Sequence, residues 1–308
     1  MKSVLLLLFL GIGVSARGAA AVTRARYLMG TICEVQATDA REIDAAFDEA
    51  ARIEGLISTW RDDSELSRLN ARGEARVSPE LYGLLRAAAG VAEDTQGAFN
   101  QLVRPLIDLW QTRGSGRVPT PSARAEALTR VALTNIAFDD GTVRLLKNAQ
   151  LEEGGFGKGY ALDKMLEETT APHVVLNFGG QLLVRGSEKV TIAHPLHRDK
   201  PLVALTLTNA SLSTSSGSER AFLVDGVRFS HILDPSTGMA LPPRGSVSVI
   251  HKSAFIADAL STALYVMGAD RGMVWARAHG VAAIFITETG EMKTSRAIDG
   301  LAMVKENQ

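Results

Sequence analysis

The chain has 308 residues, 46% of them hydrophobic and 22% charged, and a formal net charge of −1. That length suits about two domains of ~150 residues or one large α/β or α+β domain, and it is enough to bury a sizeable core. The composition excludes a disordered chain and an integral membrane bundle, and the near-neutral charge leaves no basic footprint for nucleic acid. The single cysteine, Cys33, excludes a disulfide framework, a cysteine-rich zinc module and a dithiol redox pair.

At the N-terminus, Lys2 precedes an apolar run from Val4 to Val14, and small residues follow through Ala19-Ala20-Ala21. This is the pattern of a secretory signal peptide over residues 1–21, with cleavage near Ala19 to Ala21. The run falls short of the about 18 apolar residues that span a bilayer, so the mature chain is expected to carry no transmembrane anchor. The expected compartment is outside the cytoplasm, in a bacterial periplasm. Without Lys2 and Arg17, 31 basic and 34 acidic residues remain. In an oxidising compartment a lone Cys33 reads as a buried strand residue.

Tyr27, Met29, Ile32 and Val35 mark a β-like segment interrupted at Gly30-Thr31. Ile43, Phe47, Ala50, Ile53 and Ile57 follow at helical spacing. Ser78-Pro79-Glu80 starts a second helix, with a capping hydroxyl and proline in the first turn. The stretch from Gly114 to Pro121 is the clearest loop and a candidate connection between two lobes. No charge block or low-complexity linker divides residues 22–308, so they are expected to form one domain, built as one unit or as two closely packed lobes. Val174 to Phe178 reads as a buried strand ending at Gly179-Gly180. Asp225-Gly226 predicts a hairpin between Phe222 and Phe229, because that pair supplies the positive φ angles of a tight primed turn. Ala254 to Met267 is predicted helical, stopped by Gly268, with a second helix to Gly280 and a strand from Val281 to Thr287. Hairpins beside helices without regular β-α alternation predict an α+β fold.

Three segments carry candidate chemistry. Glu152-Glu153-Gly154-Gly155-Phe156-Gly157-Lys158-Gly159 has glycines dense enough for a backbone to approach a ligand, ahead of a helix whose free N–H groups suit an anion. Its spacing matches neither the dinucleotide fingerprint nor the Walker loop, and an ordinary glycine-rich turn is the alternative. His231-Ile232-Leu233-Asp234-Pro235 places a histidine beside a rigid turn, in a structural or a catalytic role. His194 and His197 flank Pro195 and make no convincing metal site. Asp258 and Thr262 are four apart on one helix face amid alanines and leucines. They read either as a cap or as hard oxygens for Mg²⁺ together with phosphate.

Further short motifs run in order along the chain: Met29-Gly30-Thr31, Ser58-Thr59-Trp60, Ser64-Glu65-Leu66, Leu69-Asn70, Gly97-Ala98-Phe99 and Asn177-Phe178-Gly179-Gly180. With the three segments above, they resemble the FAD:protein FMN transferases, the ApbE family, over nearly the whole mature chain. The resemblance implies an ApbE-like, T-fold-related α+β architecture of largely antiparallel sheets with packed helices. It also implies an exported, Mg²⁺-dependent enzyme that cleaves FAD, links FMN to a threonine or serine of an acceptor protein, and releases AMP. By that resemblance Met29 and Trp60 line the flavin pocket, Trp60 standing where the family often has tyrosine. Ala98, Phe99, Asn100, Glu152, Lys158 and Ile232 match cofactor-contacting positions, and His231 matches the histidine near the pyrophosphate, a candidate general base. Gly155 matches a position whose carbonyl joins the metal, with Asp258 and Thr262 as side-chain ligands. Asn100, Glu152 and Gln181 stand where the family favours aspartate. An FAD pyrophosphatase and a non-catalytic periplasmic flavin-binding protein are the alternatives.

Overall fold

A computed structural model describes residues 21–304, Glu219 excepted. The expected signal peptide lies outside the described residues apart from Ala21. The chain opens with β1 (Val22–Leu28) and β2 (Thr31–Ala37), paired antiparallel across Met29-Gly30. Both turn residues have positive φ, 45° and 75°, which matches the right-handed twist of a two-residue hairpin. The break at Gly30 is therefore the turn of a hairpin. Next come α1 (Ala40–Ile57), α2 (Glu65–Arg72), β3 (Glu74–Arg76), α3 (Pro79–Asp94), α4 (Arg104–Trp110) and α5 (Pro121–Arg130). As expected, Ser78 caps α3, accepting from the Leu81 amide. A small sheet of β4 (Ile136–Asp139) and β5 (Thr142–Leu145), with β3 at its edge, leads to α6 (Gly157–Glu167).

The second half supplies most of the main sheet: β6 (Val174–Phe178), then the long β7 (Gln181–Ala193) and β8 (Pro201–Ser216). After them come the short hairpins β9 (Phe222–Val224) with β10 (Val227–Phe229) and β11 (Leu233–Asp234) with β12 (Met239–Ala240). The chain closes with β13 (Ser246–His251), α7 (Ala254–Ala278), β14 (Ala282–Ile286), β15 (Met292–Thr294) and β16 (Ala302–Met303). The main sheet runs β1-β2-β6-β7-β8-β13-β14-β15, with β16 added to β8, and its pairs are all antiparallel. The fold is α+β, as expected.

The core lies between this sheet and α1, α6 and α7. Phe47, Ile53, Phe156, Leu162, Phe178, Val249 and Leu264 are buried together there. Each such side chain contributes roughly 1.5–3 kcal/mol through burial. Cys33 sits in this core on β2, and burial pushes its thiol pKa up to about 12. Gly268 (φ 78°, ψ 170°) kinks α7 where the sequence places a stop, so two helical segments follow each other with little interruption.

Candidate active site

The glycine loop and the first turns of α7 meet edge to edge, and glycines permit the approach. A Cβ on Gly159 would lie 2.2 Å from the Ala254 carbonyl oxygen and 2.8 Å from Asp258 Cβ. A Cβ on Gly157 would lie 3.1 Å from Ile57 Cδ1. These two glycines thus serve helix packing, a role the sequence does not distinguish from ligand approach. Asp163, in the second turn of α6, fixes the junction: its carboxylate accepts from Ser253 Oγ (2.7 Å), the Ala254 amide (2.7 Å) and the Phe255 amide (3.0 Å). A carboxylate at these free N–H groups complements the start of α7 and sets its rotation.

That rotation aims Asp258 at the glycine helix. Its carboxylate is buried, 5% exposed by residue, and accepts from the Gly159 amide at 3.0 Å and from Ser213 Oγ at 3.4 Å. Burial pushes the Asp258 pKa up, against the Lys158 charge and these two donors, which favour the ionised form. Hydroxyls surround it: Ser213 and Ser215 from β8 reach Ser261 at 3.3 and 2.9 Å, and Ser215 reaches Thr262 Oγ1 at 3.4 Å. A Cβ on Gly155 would lie 3.4 Å from both Thr262 Oγ1 and Phe99 Cε2, so Gly155 and Thr262 are neighbours. Among the described residues no three His, Cys, Asp or Glu side chains cluster as a metal site. One carboxylate among hydroxyls is instead an all-oxygen donor set, which fits Mg²⁺ completed by phosphate oxygens and water.

A polar cleft with room for about 210 Å³ opens beside this group, lined by Lys158, Asp258, Gly179-Gly180, Gln181, Ser213 and the loop at His194. Gln181 donates Nε2–H to the Ala254 carbonyl at 3.0 Å, and its Oε1 is buried without a partner. His231 lies between β10 and β11, where the two short hairpins meet. Its Nδ1 is shielded and unpartnered. Burial, with the positive charges of Arg220 and Lys158, pushes its pKa down to about 4, so the ring is neutral near pH 7. Ile232 beside it is buried.

Of the remaining expected cofactor positions, Glu152 opens the glycine loop and Trp60 sits beside it through Arg113. Glu152 and Glu153 are both buried. Glu153 accepts from Thr59 Oγ1 (2.6 Å) and the Thr59 amide (3.1 Å). Burial, then the Glu152 charge, raises its pKa, while the Thr59 bonds act the other way. Glu152 is held by Arg113 Nη2 at 2.6 Å to both oxygens, and Arg104 Nη1 lies 3.5 Å away. Trp60 is 63% exposed, with the Arg113 guanidinium 4.2 Å from its ring centroid. Met29, half-buried, donates its amide to Glu54 Oε1 at 2.8 Å. Ala98 is half-buried, and Phe99 is buried against Phe156 with ring centroids 6.2 Å apart. Asn100 engages both ends of its amide: Nδ2–H donates to the Val131 carbonyl and Oδ1 accepts from the Leu102 amide, each at 2.8 Å.

The geometry therefore brings Gly155, Lys158, Asp258 and Thr262 together with His231 near Lys158, and places Trp60 with Glu152. It ties Asn100 to the backbone and sets Phe99 in the core. Sequence reasoning missed Ser213, Ser215, Ser261, Arg113 and the docking role of Asp163. Only Asp163 carried a local signal, as an acidic residue in the helix that follows the glycine motif.

Comparisons with known proteins place nearly the whole chain in one family. The profile described as the ApbE family matches residues 29–285. An FAD:protein FMN transferase of Treponema pallidum is 33% identical over 96% of this chain and 93% of its own. One from Vibrio cholerae is 29% identical over 81% of this chain and 79% of its own. Among solved structures, the ApbE protein of Thermotoga maritima superposes with a TM-score of 0.84 at 29% identity, covering 90% of this chain and 97% of that one.

Proposed function

The chain belongs to the ApbE family, and from that premise we propose that it is an FAD:protein FMN transferase, acting on a threonine or serine of an acceptor protein and releasing AMP. The observation that carries the reading is the buried Asp258 carboxylate, which accepts from the Gly159 amide and, at longer range, from Ser213, facing Lys158 and a cluster of hydroxyls where α6 begins. Such a carboxylate is costly unless a cation and its phosphate ligands complete it.

Asp258, Thr262 and the Gly155 carbonyl would hold Mg²⁺. When bound there, Mg²⁺ supplies charge neutralisation on the pyrophosphate oxygens. Lys158, whose side chain lines the cleft, binds the same oxygens and stabilises the charge that builds as the phosphorus is attacked. In the reaction the acceptor hydroxyl oxygen forms a bond to the FMN-side phosphorus, the bond from that phosphorus to the bridging oxygen breaks, and AMP leaves with the electron pair. The hydroxyl proton passes to a base, and His231, neutral near pH 7, is available to take it. Trp60 presents a flat aromatic surface to a ring of FAD. The pattern over residues 1–21 supports an exported, periplasmic enzyme, and no helix of the described residues is long and apolar enough to cross a membrane.

The test mixes the purified protein with FAD, Mg²⁺ and an acceptor domain. Covalent flavin fluorescence on the acceptor together with free AMP is the expected result. Free FMN and AMP without labelled acceptor would make the protein an FAD pyrophosphatase, and unchanged FAD would make it a flavin-binding protein.

A further inference from the structure

Trp60 is a large aromatic ring left mostly in solvent on a turn, a placement that by itself gives it many orientations. One residue removes that freedom. Arg113, carried on the turn after α4, lays its guanidinium 4.2 Å from the indole centroid. The same guanidinium reaches both Glu152 oxygens at 2.6 Å, the Thr59 carbonyl at 3.3 Å and the Thr59 hydroxyl. Glu152 and Thr59 are in turn tied to the start of the glycine loop and to Glu153. A planar cation held by a buried carboxylate is kept over the ring, where a guanidinium interacts favourably with an aromatic face.

We infer that Arg113 is a positioning residue of the FAD pocket: it fixes the Trp60 indole from one side, so that the opposite face is presented ready-made to a ring of FAD. The inference rests on the proposed FAD chemistry of this site. Arg113 acts through Trp60, and its contribution is preorganisation, the saving of the freedom an exposed tryptophan would otherwise lose on binding. Lysine cannot replace Arg113, because a point charge keeps the pair with Glu152 but offers no planar surface to the indole.

The experiment is a double-mutant cycle read by equilibrium binding of FAD, followed by flavin fluorescence and by calorimetry, on the intact protein without acceptor. Arg113→Ala is expected to raise the Kd for FAD about tenfold, the size of one cation–π and preorganisation contribution. Trp60→Ala raises it at least as much, and the double variant binds like Trp60→Ala alone, because Arg113 has nothing left to position. Arg113→Lys, which keeps the charge beside Glu152, stays several-fold weaker than the parent protein. In turnover with acceptor, the Arg113 effect falls on the KM for FAD more than on kcat.

A merely structural arginine would lower the melting temperature and leave the Kd of the folded variant unchanged, which overturns the inference. Single effects that multiply in the double variant overturn it as well, as does full affinity in Arg113→Lys. If Arg113→Ala does not fold, Arg113→Lys carries the test by the same criterion. Failure of the parent protein itself to bind FAD would instead refute the functional reading on which the inference stands.

Discussion

Asp258→Asn keeps the shape of the buried side chain and removes its charge. Asp258 is the one acidic residue lining the cleft among the described residues, so no neighbouring carboxylate takes over its electrostatic role. Two unit charges about 4 Å apart, at an effective dielectric of about 20, interact by about 4 kcal/mol, which is a lower bound for a divalent ion. Loss of that interaction weakens Mg²⁺ binding on the order of a thousandfold or more. In the parent protein, Mg²⁺ at a hundred times its Kd stabilises the folded state by about 2.7 kcal/mol. At about 2–4 °C per kcal/mol, that is a rise of about 5–10 °C in melting temperature. Scanning calorimetry with FAD and increasing Mg²⁺ reads this rise in the parent protein and its absence in Asp258→Asn. Without metal the variant should melt close to the parent, since burial disfavours the carboxylate charge and an amide oxygen still accepts from the Gly159 amide. A full Mg²⁺-dependent rise in Asp258→Asn would refute the metal assignment. So would a large loss of stability in metal-free buffer, which would make Asp258 a structural cap.

Three further outcomes are expected. His231 has a folded pKa near 4 against an ordinary 6.5, so the unfolded chain binds a proton that the folded one refuses between those values, and stability falls as pH drops through that window, by about 3 kcal/mol in full. Urea melts should show His231→Gln flattening this slope, and an unchanged slope in the variant would contradict the burial argument. Gly159→Ala forces a methyl to within 2.2 Å of the Ala254 carbonyl, so α7 must shift, at a cost of about 1–3 kcal/mol or more in denaturant melts; parental stability would show that the helices do not meet as described. Asn100→Asp replaces the donor to the Val131 carbonyl with an acceptor in a buried site and should cost about 1–3 kcal/mol near neutral pH, less where the new carboxyl is protonated; a melting curve identical at pH 7 would remove that bond from consideration.

Local signals were legible wherever one short stretch determines the geometry. The Asp225-Gly226 turn, the Ser78 cap, the helix from Ile43 to Ile57 and the break at Gly268 each depend on their own neighbours. The glycine loop and the Asp258/Thr262 pair were each visible as weak local patterns, and only the resemblance to the ApbE family joined them into one site. The long pair β7 and β8 was not legible, since Ser211 to Ser216 has the composition of a loop and becomes strand only by pairing with β7 and β13. That pairing is what delivers Ser213 to Asp258 and Ser215 to Ser261, 45 and 46 positions away in sequence. Arg113 was hidden for the same reason: a charged residue in a glycine-rich turn reads as solvated until tertiary structure places Glu152 and Trp60 against it.

The family-level departures at Asn100, Gln181 and Glu152 take on a local logic in this chain. At Asn100 the amide must donate to the Val131 carbonyl, and at Gln181 to the Ala254 carbonyl. An ionised carboxylate has no proton to offer and would set two acceptors against each other in a buried site. The amides are thus matched to the carbonyls their backbones bring near. Glu152 keeps its negative charge and lies where Arg113 and Arg104 converge. Two of the three departures therefore stabilise the walls around the site, and the third retains the charge and binds the arginine that steadies Trp60. None of them alters the Asp258, Thr262 and Gly155 group, so the chemistry proposed here rests on residues these substitutions leave intact.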